Sequence, residues 1–235
     1  MSILGKYLIF LGKLFTNPEK FRVYLALIMQ ECNDIGINSV LIVSIVSTFL
    51  GAVTCVQTAA NMDNPFVPQY IISLIVRDST ILEMGPTITC VVLAGKIGSN
   101  IASQLGTMRI TEQIDALEIM GINTKAYLIL PKILAALLTI PLLVIIAMTL
   151  GIWGGRFVGD LTGILPHEIY DRGLQIDFMP YNVTFALTKA YTFAFIITAI
   201  PAYFGYNVKG GALEIGRAST TAVVVSCVMI LSHLG

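Results

Sequence analysis

The sequence predicts an all-α integral membrane protein: an N-terminal interfacial helix, five transmembrane helices, and one short charged helix between the second and third spans. Three observations predict it. Of 235 residues, 56% are hydrophobic and only 12% are charged, where a soluble domain carries about 25% charged residues. Mean hydropathy is +0.83. Five apolar runs approach or exceed the roughly 20 residues that a helix needs to cross a bilayer, and the Lys and Arg residues between them fall mostly on one side.

The elements follow in order. Residues 1–34 read as an interfacial segment. In "MSILGKYLIFLGKLFTNPEKFRVY" the apolar runs are broken by Lys6, Lys13, Lys20 and Arg22, so no run there is long enough to span, and the lysines reach back to the headgroups. No cleavage site of a signal peptide is expected. The membrane-spanning region is residues 35–235, with spans near 35–62, 71–95, 133–155, 182–206 and 218–235. The first of these holds no charge. The second carries Arg77, Asp78 and Glu83, the third lies between Lys132 and Arg156, and the fourth contains Lys189. The fifth is still apolar where the chain stops at Gly235.

With the N-terminus in the cytoplasm, the inner segments hold Lys6, Lys13, Lys20, Arg22, Lys96, Arg109, Lys125, Lys132, Lys209 and Arg217. The outer ones hold only Arg156 and Arg172. This bias predicts a cytoplasmic N-terminus and a periplasmic C-terminus.

Several chemistries are excluded. Net charge is zero, which gives no electrostatic case for nucleic acid. Cys32, Cys55, Cys90 and Cys227 form no CxxC, and three of them sit in apolar runs as small hydrophobes. His167 and His233 are isolated, so neither a metal site nor a catalytic residue is expected. Gly211 to Ser219, "GALEIGRAS", imitates a phosphate-binding loop but places Arg217-Ala218 where the Lys and the Mg²⁺-binding hydroxyl are needed. Asn182-Val183-Thr184 is a chance glycosylation sequon.

The segment Arg109 to Gly121 reads as one cytoplasmic helix. Ile110, Ile114, Leu117 and Gly121 recur on one apolar face, and Glu112, Asp115 and Glu118 recur every three residues beside it. Thr111 is placed to cap the helix N-terminus, and Gly121 to end it. Gly151, Gly155, Gly159 and Gly163 share a four-residue spacing, which lets another helix approach closely. They serve either packing within the chain or a contact with a second copy. Pro131 and Pro141 flank the early part of span 3, where Pro141 is placed to kink it.

The stretch Leu82 to Ile122, "LEMGPTITCVVLAGKIGSNIASQLGTMRITEQIDALEIMGI", closely resembles the MlaE family, the permease subunits of MCE-associated ABC transporters. The pattern E-x-G-P stands at Glu83–Pro86, A-G-[RK]-x-G-[SA] at Ala94–Ser99, and G-x-M-x-x-T-E-Q at Gly106–Gln113. "GIWGG" at 151–155 and "GRASTTAVVVS" at 216–226 look like later landmarks of the family. Leu82 departs from it, since many relatives carry Arg there.

The resemblance implies that Thr111 to Met120, with Glu112, Gln113, Asp115 and Glu118, is a coupling helix docking into an ATPase subunit. It implies a homodimer, an MlaF-like ATPase that binds ATP and Mg²⁺, and an MlaD-like MCE-domain protein in the periplasm. This chain would then hold no cofactor and catalyse nothing. The implied cargo is phospholipid, moved between the inner and outer membranes of a Gram-negative envelope to maintain outer-membrane asymmetry.

Charges facing lipid are costly. Arg77, Glu83 and Lys189 are therefore expected either in a structural ion pair between spans 2 and 4 or in a cavity for a lipid headgroup, with Gly85-Pro86 as a bend. A stand-alone secondary transporter or channel, whose intramembrane charges bind ions, is the rival reading. A purely structural scaffold would explain neither the charged helix nor the buried charges.

Overall fold

A computed structural model describes residues 3–12, 21–62 and 68–232. Lys13, Lys20 and His233, and the side chains of Lys6 and Arg22, lie outside this set. The described residues form α1 (Ile3–Gly12), α2 (Phe21–Cys32), α3 (Asn38–Asn61), α4 (Tyr70–Ser79), α5 (Thr89–Leu93), α6 (Ser99–Ile110), α7 (Gln113–Ile119), α8 (Thr124–Leu161), α9 (His167–Gln175), α10 (Pro180–Tyr206) and α11 (Ala212–Ser232). No strand occurs among them. In lipid every backbone N–H and C=O must be satisfied within the segment, and a helix does this.

Five helical runs are long and apolar enough to cross a membrane: Tyr24–Asn61, Tyr70–Ile110, Thr124–Leu161, Pro180–Tyr206 and Ala212–Ser232. They match the five predicted spans in number and order. Several extend well past the predicted apolar runs, because helical hydrogen bonding continues after the side chains turn polar. Thus α2 continues through a π-helical turn at Asn33–Ile37 into α3, with no break at residue 34. Likewise α4 continues to α6 through π-helical segments at Thr80–Ile88 and Ala94–Gly98. Gly85 and Pro86 lie in the first of these, so the chain widens its turn around the proline instead of breaking. The helix α8 continues without interruption through Pro131 and Pro141.

The chain divides into two units. One comprises Met1–Asn38, Cys90–Ile140 and Tyr191–Gly235, and the other Ser39–Thr89 and Pro141–Ala190. In the second unit, α3 and α8 meet backbone to backbone. A Cβ on Gly51 would collide with the carbonyl oxygen of Gly151, and one on Gly154 with that of Thr48. Gly155 faces the Tyr170 hydroxyl, and Gly159 faces Cys55. The glycine repeat therefore packs within the chain, at Gly151, Gly155 and Gly159, while Gly163 lies beyond the helix with φ +68°. Small residues permit this approach, and dispersion across the close contact stands in for the hydrophobic drive that lipid does not supply. Beside it Tyr170, fully buried with Cys55, Ile72, Val76 and Leu165, donates its hydroxyl to the Ile152 carbonyl at 3.0 Å.

In the first unit, α6 packs against α10 and α11. A Cβ on Gly205 would stand 2.6 Å from the Ala102 carbonyl oxygen, and Gly106 faces Ile215. Leu105, Ile114, Ile129, Phe193 and Ile197 are fully buried there.

The close contact predicts a specific sensitivity. Gly51→Ala should destabilise the protein by about 1–3 kcal/mol through overpacking. Gly216→Ala, where nothing lies within 4 Å of the added carbon, should be neutral or slightly stabilising. Thermal unfolding in detergent, followed by fluorescence-detected size exclusion, measures both.

Candidate functional site

The short helix between spans 2 and 3 exists, but it is shorter than the sequence suggests. Arg109 and Ile110 end α6, and the chain then breaks. Thr111 does not cap α7: its hydroxyl donates backwards to the Thr107 carbonyl at 2.8 Å. Glu112, with φ 59°, stands in the left-handed region and precedes the first helical residue, Gln113. A non-glycine residue there costs of order 1 kcal/mol or more, so the break is held by its surroundings. The other end closes as the sequence indicates. Gly121 has φ +81°, its N–H donates to the Glu118 carbonyl, and the Ile122 N–H donates to the Leu117 carbonyl. This double bond to the last turn is a Schellman motif.

The faces of α7 also differ from expectation. Ile114 is fully buried and Leu117 half-buried, as the apolar face requires. Two of the three acidic residues, however, are engaged within the chain. Asp115 accepts from Arg109 Nη1 at 2.5 Å. Glu118 Oε1 accepts from the Tyr206 hydroxyl at 2.8 Å and from Thr124 Oγ1 at 3.1 Å, and those two hydroxyls lie 2.8 Å apart. The Tyr206 ring sits under Arg109, with Cζ 5.9 Å from its centroid, and under Lys125, with Nζ at 5.4 Å. The Tyr206 hydrogen bond is the main cause that holds the Glu118 carboxyl below the usual glutamate range. Partial burial opposes it, and Thr124, Arg109 and Lys125 reinforce it. Besides Glu118, which is exposed though engaged, the exposed residues of α7 and its flanks include Glu112, Gln113, Ala116, Ile119 and Met120. Ile119 is 88% exposed and Met120 65%.

Sequence reasoning missed Tyr206 and Thr124. They lie 88 and 6 residues from Glu118, and a tyrosine at the end of an apolar span carries no signal of its partner. It also missed a polar cluster in the same unit. Lys132, 4% exposed, donates to Glu31 Oε1 at 2.5 Å and to Gln104 Oε1 at 2.8 Å. Lys96 donates to the Asn38 carbonyl. Glu31, Asp34, Lys96, Asn100, Gln104 and Lys132 line one cleft, and the buried Lys132 there has an opposite charge and a polar partner, as burial demands.

In the other unit the intramembrane charges have different surroundings. Of the two readings offered for Arg77, a structural pair or a headgroup cavity, its contacts fit a structural role, with Asp78 and backbone carbonyls as partners. Arg77 is 2% exposed. Its Nη1 donates to the carbonyls of Leu174 at 2.9 Å and Ile176 at 2.7 Å, its Nη2 reaches that of Asp177 at 3.4 Å, and its Nε pairs with Asp78 at 2.9 Å. The end of α9 leaves carbonyls without intrahelical donors, and Asp177 turns the chain with φ 51°. One planar guanidinium satisfies the Leu174 carbonyl in the last turn and those of Ile176 and Asp177 just beyond it. Glu83, by contrast, is exposed, and Lys189 is half-buried, with Nζ 4.7 Å from the Phe185 ring centroid one turn away. Among the described residues no group of three His, Cys, Asp or Glu is placed to hold a metal ion.

Comparison with known proteins gives a consistent result. The family model described as Permease MlaE matches residues 28–233. A probable ABC transporter permease protein of Rickettsia bellii (strain RML369-C) is 36% identical over 228 residues, 97% of this chain and 88% of the relative. The intermembrane phospholipid transport system permease protein MlaE of Haemophilus influenzae is 28% identical over 221 residues, covering 94% and 84%. The chloroplastic protein TRIGALACTOSYLDIACYLGLYCEROL 1 of Arabidopsis thaliana is 29% identical over 220 residues, covering 93% and 62%.

Two outcomes follow from this geometry. Arg77→Met leaves three carbonyls without their donor and should cost about 3 kcal/mol or more, exposing the 174–178 turn to protease. Arg77→Lys, a point donor on a flexible stem, should fall between that variant and the unaltered protein. The Glu118 latch has a pH signature. Its carboxyl is lowered in the folded state, so its stabilisation is complete above the ordinary glutamate range, begins to fall as pH enters that range, and is gone below the lowered value. Deuterium uptake over Gln113–Ile119, corrected for intrinsic exchange rates, should rise across that acidic window and stay flat through neutrality.

Proposed function

Because the chain belongs to the MlaE family of permeases, we propose that it is the membrane subunit of an ATP-driven phospholipid transporter. The observation that carries this reading is α7. It is a short helix between two spans, latched to the chain on one side and exposed among the described residues on the other. Its outer face offers Ile119 and Met120 at 88% and 65% exposure, flanked by Glu112 and Gln113. An apolar pair with a polar rim is what a groove on a partner accepts, with the charge setting register. The partner is an ATPase subunit, which holds the nucleotide and Mg²⁺. This chain has no phosphate-binding loop.

The cargo reading is supported by the phospholipid named for the Haemophilus influenzae relative. Glu83 and Lys189 are the polar groups proposed to line a headgroup site, next to the π-helical segment of Gly85 and Pro86. Arg77 is not among them, since its donors are spent on carbonyls. The proposed assembly holds two copies of this chain, the ATPase, and an MCE-domain protein on the periplasmic side, in the inner membrane of a bacterial envelope. The ten-to-two distribution of Lys and Arg supports a cytoplasmic N-terminus and so a cytoplasmic α7.

Co-purification tests the reading directly, because a stand-alone transporter or channel brings no ATPase with it. Ile119→Ser combined with Met120→Ser should lower recovery of the ATPase about tenfold while membrane levels of the chain stay unchanged. Full recovery of the ATPase from that double variant overturns the docking face. Glu83→Gln and Lys189→Met, made singly, should leave the complex assembled, reduce co-purified phospholipid and weaken the outer-membrane barrier. Normal lipid content in both assembled variants removes these residues from the cargo site.

A further inference from the structure

We infer that Tyr206 is the positioning residue that fastens α7 to two spans at once, so that displacement of α7 moves the ends of α8 and α10 together. The inference rests on the docking reading of α7 and goes beyond it, from where a partner binds to how its push is passed on.

The backbone alone is a poor transmitter here. The chain on both sides of α7 leaves the helical path, at Thr111–Glu112 before it and at Gly121 after it, and both Glu112 and Gly121 lie in the left-handed region. A helix with a break at each end has no continuous ladder of hydrogen bonds into its neighbours. Each break is a place where φ and ψ can absorb motion. A force on α7 therefore needs a side-chain path.

The structure contains one. Glu118 Oε1 meets the hydroxyls of Tyr206 and Thr124. Thr124 is the first residue of α8, and Tyr206 is the last residue of α10. One carboxylate oxygen thus ties α7 to the terminal residues of two spans. The Tyr206 proton is donated to Glu118, and the single Thr124 proton is shared between Glu118 Oε1 at 3.1 Å and the Tyr206 oxygen at 2.8 Å, so the three groups close a triangle. Hydrogen bonds to an ionised acceptor are shorter and about twice as strong as neutral ones. Thr124 and Tyr206 are almost wholly buried, at 2% and 6% exposure, so water does not compete at their side of the triangle.

The ring of Tyr206 is fixed as firmly as its hydroxyl. Arg109, at the end of α6, and Lys125 lie against it. Phe10 of α1 packs 5.8 Å from it and 5.4 Å from Tyr203, and Tyr7 meets Tyr203 edge-on at 5.5 Å. A ring gripped in this way does not swing to follow Glu118; it holds Glu118 in place. Ile114 is buried in the core, and Asp115 on Arg109 locates α7 against the end of α6.

Tyr206→Phe separates transmission from folding, because it keeps the ring and its neighbours and removes both hydroxyl contacts. The complex of this chain with its ATPase is purified from membranes and reconstituted in phosphatidylethanolamine–phosphatidylglycerol vesicles carrying a fluorescent phospholipid. The readout is ATP hydrolysed per lipid moved. Tyr206→Phe should recover the ATPase normally and raise that ratio about tenfold, the scale of one lost hydrogen bond to a charged group. Glu118→Leu should behave likewise. Glu118→Gln keeps an acceptor oxygen for the Tyr206 hydroxyl and should restore most of the coupling, a rescue that a merely structural role would not show. An assembled Tyr206→Phe complex with an unchanged ratio overturns the inference.

Failure of the docking reading is seen elsewhere, as undiminished ATPase recovery from the Ile119→Ser, Met120→Ser variant. In that case deuterium uptake over Gln113–Ile119 decides the matter for Tyr206. Uptake raised in Tyr206→Phe keeps it as the fastening of α7, and unaltered uptake removes it.

Discussion

Hydrocarbon offers no hydrogen-bond partner, and this constraint shapes every part of the chain. Backbone groups in the spans must be satisfied by the helix itself, which is why the described residues hold helices and no strands. Where the helix cannot close its ladder in the ordinary way, it widens. Pro86 lacks an N–H, and the π-helical segment Thr80–Ile88 absorbs the loss without ending the span. Where a helix does end near buried structure, a side chain takes over. Arg77 supplies donors to the carbonyls at the end of α9, a use of an intramembrane arginine that needs no cargo.

The same constraint governs the charged residues. Lys132 lies among apolar helices and is tolerated because Glu31 and Gln104 meet it. Taking one charge away would leave the other buried and uncompensated, which costs more than the pair itself contributes. Glu118 is treated differently. It is exposed, yet it is drawn to one side of α7 by two hydroxyls and flanked by two cations. The acidic stripe of α7 is thereby divided: Asp115 and Glu118 hold the helix to its own chain, and Glu112 stays with Ile119 and Met120 on the open face. A helix that must be fixed and yet offer a surface needs both kinds of residue.

Packing in the spans obeys a further consequence of lipid as solvent. Apolar side chains gain little by leaving one hydrocarbon environment for another, so close contact has to come from shape. Gly51 against Gly151, and Gly154 against Thr48, bring α3 and α8 to backbone contact. In the other unit Gly205 against Ala102 does the same for α10 and α6. These contacts are intolerant of a single added methyl group for the same reason that they are close.

The sequence by itself determined the class of the protein, the number and order of its spans, the existence of a charged helix between the second and third, and its stop at Gly121. Each of these is a local property: a run of apolar residues, a period, a glycine where φ must be positive. The motif from Glu83 to Met120 also sufficed to indicate the family. Only the tertiary structure decided what each polar residue does. The use of Thr111 on Thr107, the left-handed Glu112, the glycine repeat turned inward, Arg77 on the carbonyls of α9 and Glu118 on Tyr206 were not legible, because each is set by groups far along the chain or by the competition of a backbone that continues as helix. A charge in an apolar run announces that it needs a partner, and the pattern around it carries no information about which of many distant donors or acceptors the fold will bring within 3 Å.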